Sequence, residues 1–384
     1  MSARSFAAWH PLRCTGTALP PQLLLVAKLL VLSLFLNGYV QKLPERWLPM
    51  WRLLDALPSN GVRVALVFVA CAAGIALFLN RWVRTASFLV GLVFFLQPIV
   101  CRAHFFYADF FCALILMLIG LHQPSFGTTL VRLQFTVMYF GSGLNKLLDT
   151  DWWSGVFMQN WLAPLSPIYN WMSAHFPDMW LARALSWGTI AIELSTAVML
   201  LRPRLWHSAI WIAIGFHAAS VFFVGLTFGV FLSALLAAYP VFATWYGAGE
   251  VVLEYQPNKR SHGLLRRVSD ALDVDGLFTW RTGAGDGLRL LAGQETWRGF
   301  AAFRRWVLLT PAIYVAFVAL VASPKSLGKL ILHVAPVLHD AHWKLSKLGL
   351  VLLAVFLAPL PMWRSSRRAQ ATAKREPRVT APAS

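Results

Sequence analysis

A succession of apolar runs, each near the length needed to cross a bilayer, limits this chain more than any other feature. A spanning helix needs about 20 predominantly apolar residues. Such runs fall at about 22–41, 62–80, 85–101, 105–121, 128–148, 184–201, 207–226 and 228–246. Inside hydrocarbon every backbone amide must find its partner within the chain, so runs of this kind become helices. The expected architecture is an all-α polytopic membrane bundle of about eight transmembrane helices, followed by a small α/β domain. Composition agrees, with 58% hydrophobic and 13% charged residues and a mean hydropathy of +0.60, values outside the usual range of soluble domains. Residues 1–20 read as an irregular N-terminal cytoplasmic segment. They lack a basic–apolar–small-residue cleavage pattern before Pro20 and Pro21, so the first run is expected to be a retained span.

The formal net charge is +18, and its distribution orients the bundle. Arg4 and Arg13, Arg81 and Arg84, Arg202 and Arg204, and the basic region after 247 fall on one side if the N-terminus lies inside. The 149–182 segment then lies outside, and both termini are cytoplasmic. Lys42, Arg46 and Arg52 of the 42–61 loop run against this pattern. Basic residues of a membrane protein meet anionic headgroups, so the expected partner is a lipid bilayer with anionic headgroups, beside a membrane or peptide partner. No basic stripe with interleaved aromatics appears in a soluble stretch, and nucleic acid is excluded. Cys14, Cys71, Cys101 and Cys112 have no metal-ligand or Cys-x-x-Cys spacing, so no metal site is expected.

Ionisable residues inside the runs are few, and charge within a membrane segment is costly enough to mark function. Arg132, Tyr139 and Lys146 recur every seven residues, nearly two helical turns, with Ser142 beside them. They form a polar stripe on a segment otherwise built of Phe, Val, Met and Leu. Glu193 and His217 lie in two later runs. Lys28, near the start of the first run, is placed to snorkel to the surface. Residues 149–182 are too broken by Asp, Pro and Ser to span, and their Trp152, Trp153, Trp161, Trp171 and Trp180 fit a segment in the headgroup region. A lysine among aromatic and aliphatic side chains favours its neutral form and can act as a base. Asp149, Asp151 or Glu193 against it would hold the proton on and make the site structural or relay-like.

The stretch Leu133-Gln134, Met138-Tyr139-Phe140, Gly143-Leu144-Asn145-Lys146-Leu147, Asp149 and Asp151-Trp152 resembles the membrane domain of vitamin K-dependent gamma-carboxylase and its bacterial relatives, the horizontally transferred transmembrane domain proteins. The resemblance extends weakly over about residues 20–247. It departs by one extra residue between the lysine and the tryptophan, and by Asn145 where the carboxylase has a second lysine. It implies a reduced quinone (vitamin K-like) as cofactor and Lys146 as the base that deprotonates it. His217 would orient a quinol oxygen, and Arg132, Tyr139, Asp149, Asp151, Trp152 and Glu193 would line the pocket. The large lumenal domain with which the carboxylase grips its peptide has no room here.

After residue 247 the composition turns charged. Residues 248–305 read as strand (Glu250–Tyr255), turn, helix (His262–Leu272), turn, helix. Tyr255-Gln256-Pro257-Asn258-Lys259-Arg260-Ser261-His262 and Trp297–Arg305 resemble a degenerate thioredoxin-like domain of the DCC type, taken here as 248–343. Lys259 and His262 replace both cysteines, and without a thiolate there is no disulfide exchange. Two further apolar runs, Trp306–Ala322 and about Leu345–Leu360, are short for spans. The first is expected to pack within the C-terminal domain and the second, as an apolar helix at 344–363, to lie at the interface. Residues 364–384 read as a disordered basic tail. Three function classes follow: a quinol-dependent membrane enzyme, a non-catalytic accessory or partner-binding protein, and a small transporter or proton relay. A cavity at Lys146 large enough for a naphthoquinone would favour the first, and its lack the second.

Overall fold

The computed structural model describes residues 10–40, 43, 49–51, 54, 56–101, 107–126, 128–224, 234, 237–242, 244–283 and 287–322. Parts of the 42–61 loop and of the 228–246 run, and all of the 344–363 helix and the 364–384 tail, lie outside these residues. Among the described residues ten α-helices precede the sheet: α1 (Pro21–Leu36), α2 (Ser59–Phe78), α3 (Val83–Val100), α4 (Tyr107–Gly120), α5 (Thr129–Leu148), α6 (Thr150–Ser154), α7 (Val156–Leu162), α8 (Pro167–Ser173), α9 (Trp180–Leu200) and α10 (Trp206–Val224). The small mixed sheet follows.

α1 starts with Pro21 in its first turn, where a missing N–H costs no intrahelical bond. It is apolar on every side, and Leu23 through Val31 are all buried, as expected of a helix enclosed by others. α3 and α4 approach most closely through glycine. A Cβ on Gly91 would lie 2.7 Å from the Ala113 carbonyl oxygen, and one on Gly120 would lie 2.5 Å from Phe88 Cβ. Small residues let membrane helices bring their backbones together in this way.

Among the described residues two helices are both long and apolar enough to cross a bilayer, Asn60–Phe78 and Val83–Val100. Pro21–Leu36 and Ala108–Gly120 are apolar but shorter. α5, α9 and α10 have 20, 21 and 19 residues and carry the polar groups of the site. The expected eight are therefore two clear candidates, with the other helices shorter or more polar. The 149–182 segment forms three short helices, α6 to α8. Trp152, Met158, Leu162 and Tyr169 pack there against Leu181, Ala182 and Ile190 of α9, while Trp153, Trp171 and Trp180 stay exposed.

Lys28 does not snorkel. It is 1% exposed, and its Nζ donates to Pro11 O, Arg13 O and Asn80 Oδ1, each at 2.7 Å. The loop ahead of α1 folds back over the lysine and supplies two of the three acceptors. The same loop reaches the C-terminal module. Asp275 accepts from the Cys14 and Thr15 amides at 3.0 Å and from Thr15 Oγ1 at 2.7 Å. Residues 10–15 thus strap α1, the turn after α2 and the module together. Burial pushes the Cys14 thiol up to about 12, so it packs as a neutral group. Asp275→Ala removes the acceptor from three donors, and hydrogen bonds to a charged group contribute about 1.5–3 kcal/mol each. Amide hydrogen exchange at Cys14 and Thr15 should then speed up by roughly tenfold or more. Unchanged exchange at both amides would show that the strap is held by something else.

The module contains β1 (Val251–Tyr255), α11 (Arg260–Leu272), β2 (Phe278–Thr282), β3 (Arg289–Ala292), β4 (Glu295–Arg298) and α12 (Phe300–Leu309). The strand order is β2-β1-β3-β4, with β1 parallel to β2 and antiparallel to β3. β1 and α11 lie where the sequence pattern puts them. The stretch between α11 and α12, read as a turn, instead holds three strands, and the second helix of the pattern is α12. Alternate residues Val251, Leu253, Leu290 and Ala292 face Ala302, Trp306 and Leu309 of α12, the two-residue period of a sheet covered on one face. Trp306 Nε1 donates to Ser269 Oγ at 3.0 Å and fastens α12 to α11.

The run 306–322 does not pack wholly within this module. α12 ends at Leu309, and α13 (Pro311–Ala322) begins with the proline. Trp306 and Leu309 belong to the core under the sheet, whereas Tyr314 and Val318 join the bundle core beside α1.

Candidate functional site

α5 turns two faces to its surroundings. Val131, Phe135, Tyr139 and Gly143 recur every fourth residue on its buried side, while Leu133, Val137, Phe140, Leu144 and Leu148 are exposed. The apolar side faces outward, the arrangement of a helix with lipid around it. The predicted stripe lies toward the inward side, but its three members meet three different partners.

Lys146 pairs with Glu193 of α9. Its Nζ lies 2.8 Å from Glu193 Oε2 and 3.0 Å from Oε1, and donates to Ser142 Oγ at 2.5 Å. The Trp152 ring sits 5.0 Å from the ammonium and stacks on Phe157 at 4.3 Å. Of the two surroundings the sequence left open, the structure takes the ion pair rather than the apolar one. The neighbouring helices force this. α5 crosses α9 where Gly143 lacks a side chain, and a Cβ there would meet Leu194 at 2.9 Å. That close approach leaves Lys146, one turn on, beside Glu193.

Tyr139 is 2% exposed, and its hydroxyl lies 3.2 Å from His217 Nε2 in α10, itself 4% exposed. Arg132 belongs to neither pair. Its guanidinium donates to the Val241 carbonyl at 3.0 Å and lies 3.9 Å over the Trp206 ring. Asp149 caps α6 by accepting from the Asp151 amide at 3.0 Å. Asp149 and Asp151 are exposed and make no ion pair among the described residues. The structure therefore brings together Lys146, Glu193 and Trp152 in one group and Tyr139 with His217 in another. It leaves Arg132, Asp149 and Asp151 outside both.

Sequence reasoning passed over a polar run on α9. Ser186, Thr189, Glu193 and Thr196 are all buried, and their spacing of three and four residues is that of one helix face. Thr196 lines a cavity of about 20 Å³ together with Phe135, Tyr139, Ile210, Ile214 and Phe242. Its Oγ1 has no hydrogen-bond partner among the described residues. A space of that size holds about one water.

Residues 63–245 match the HTTM domain. The HTTM domain is a membrane domain of the gamma-carboxylase family, consistent with the resemblance carried by Leu133–Trp152. The match runs from α2 through α10 and takes in Lys146, Glu193 and His217, leaving α1 and the sheet module outside. No curated protein and no solved structure matches the chain.

The quinone that the resemblance implies can be compared in size with the cavity at Tyr139. Pockets that hold drug-sized ligands have volumes of about 300–1,000 Å³. The cavity at Tyr139 is about 20 Å³, and it does not fit the two fused rings of a naphthoquinone.

Proposed function

We propose that the chain is a multi-pass integral membrane protein, with about eight crossings and both ends of the bundle in the cytoplasm, in which Lys146 and Glu193 form an acid–base centre for a membrane-dissolved substrate. The Lys146–Glu193 pair carries this reading: 2.8 Å apart in an HTTM domain, on the lysine that matches the carboxylase-like pattern. Intramembrane ionisable pairs mark proton or substrate chemistry by default. With the proton on Lys146 the centre is an ion pair. Passing it to Glu193 leaves a neutral amine able to accept a proton and a neutral acid able to return one. A reduced quinone does not fit the small cavity beside Tyr139, which neither Lys146 nor Glu193 lines, and it enters here as a reactant to test.

One observation favours a second reading. The ammonium is held at once by Glu193 and Ser142 beside the tight Gly143–Leu194 crossing, which suits a clamp between α5 and α9 in a non-catalytic membrane accessory. Lys146→Arg separates the two. Arginine keeps the charge and the carboxylate partner but does not give up its proton in proteins. Purified protein in nanodiscs, supplied with reduced naphthoquinone and then with other membrane-soluble acids, is expected to consume oxygen or CO₂. Lys146→Arg should remain folded and lose at least 100-fold in rate, the scale of general acid–base catalysis. Equal turnover by Lys146→Arg, or none by the wild type with any of these reactants, would overturn the acid–base reading and favour the clamp.

The C-terminal module is proposed to be a thioredoxin-like fold without its cysteines, serving as a docking unit. Supporting this, Val251–Tyr255 is a central strand and α11 begins at Arg260, inside the octet where the cysteines would stand.

A further inference from the structure

α11 has an unusual outer face. Leu264 is 65% exposed and Val268, one turn on, is 39% exposed. Exposed Arg260, Arg267 and Ala271 share with them a sector of about 100° on a helix of 3.6 residues per turn. The inward side packs through Leu265 and through Ser269, which holds Trp306. Arg266 has its own partner, Asp270 at 3.7 Å. Arg260 and Arg267 make no ion pair among the described residues.

The position of this face follows from the strap. The turn after α11 carries Asp275, which binds Cys14 and Thr15 at 3.0 Å. The chain then enters the apolar helix α1 at Pro21, so the C-terminal end of α11 is held at the level where the bundle begins. At its other end the module is held by α13 against α1. Two attachments keep the module beside the bilayer surface.

We infer that the outer face of α11 rests on anionic headgroups of the bilayer, with Leu264 and Val268 in the interfacial layer and Arg260 and Arg267 against lipid phosphates. An apolar strip flanked by arginines is the make-up of helices that lie in the plane of a membrane. Each arginine near an anionic surface contributes about fivefold to binding. Charge chooses this occupant over a protein partner: two guanidinium groups with no ion pair among the described residues border the strip, and the nearest carboxylate, Asp270, is already paired with Arg266.

The full chain in nanodiscs tests this. A bimane label at Ala271→Cys, in a Cys71→Ser background, reports the face without altering Leu264, Val268 or either arginine. In discs of phosphatidylcholine with phosphatidylglycerol, brominated lipid should quench the label several-fold more than in phosphatidylcholine alone. Reversing both arginines to glutamate should remove the difference. A label at Thr296→Cys, exposed on β4, should stay unquenched in both. Quenching at position 271 that ignores lipid charge, or a label equally open to aqueous iodide in both discs, would overturn the assignment. Failure of the Lys146 chemistry would leave this result untouched.

Discussion

Lys146→Met is expected to cost the folded protein about 3–5 kcal/mol, and Glu193→Leu about as much, while the double variant recovers most of that loss. Either single change leaves one charge with its partner gone, in a site where the side chains are 16% and 8% exposed. Removing both leaves an apolar contact between α5 and α9, and such replacements are often neutral or stabilising. Thermal unfolding of the four proteins in one detergent gives the coupling directly. Singles that add up to the double would mean that the two residues do not stabilise each other, and both the acid–base centre and the clamp would fall. Ser142→Ala should cost less, about 1 kcal/mol, since the carboxylate still holds the ammonium.

The second large effect is expected at the α3–α4 crossing. Gly91→Leu and Gly120→Leu should each abolish monodisperse protein in size-exclusion chromatography. A Cβ at Gly91 meets the Ala113 carbonyl oxygen at 2.7 Å and the Met117 amide nitrogen at 2.8 Å. At Gly120 it meets Phe88 N at 2.7 Å and Arg84 O at 2.8 Å. These are backbone atoms, which cannot rotate away, so the helices themselves must part. Overpacking costs about 1–3 kcal/mol where side chains can yield, and here the cost should exceed that range. Gly141 and Gly188 are the controls. Nothing lies within 4 Å of a Cβ at either, and alanine there should be neutral or gain up to about 1 kcal/mol of helix propensity. Equal loss at all four positions would point to glycine flexibility, not close approach, as the requirement.

How far the sequence reveals this molecule depends on which residue is asked. Spacing puts Arg132, Tyr139 and Lys146 on one face, and they lie there. Spacing cannot say what stands opposite, and each meets a different element: the Val241 carbonyl, His217 and Glu193. The acidic partner of Lys146 comes from a helix 47 residues away, brought near because Gly143 permits a close crossing. Lys28 reads as a snorkelling residue because depth from the helix end is all that a hydropathy pattern offers. Two of its three actual acceptors are carbonyls of a loop with no regular structure. β2, β3 and β4 have five, four and four residues, too few for a two-residue period to stand out beside amphipathic α11. The cavity at Tyr139 is set by how helices meet, and no single helix encodes its volume.

The strap also imposes an order on the making of the protein. Cys14 and Asp275 are separated by 261 residues, so the loop leaves the ribosome long before its anchor exists. α1 therefore emerges with only the Pro11 and Arg13 carbonyls at hand for Lys28, since Asn80 follows 52 residues later. The final clasp closes only after the turn that follows α11 has been made. An early contact thus waits on a late one, and a chain released before Asp275 is made has a first helix that is still unlatched.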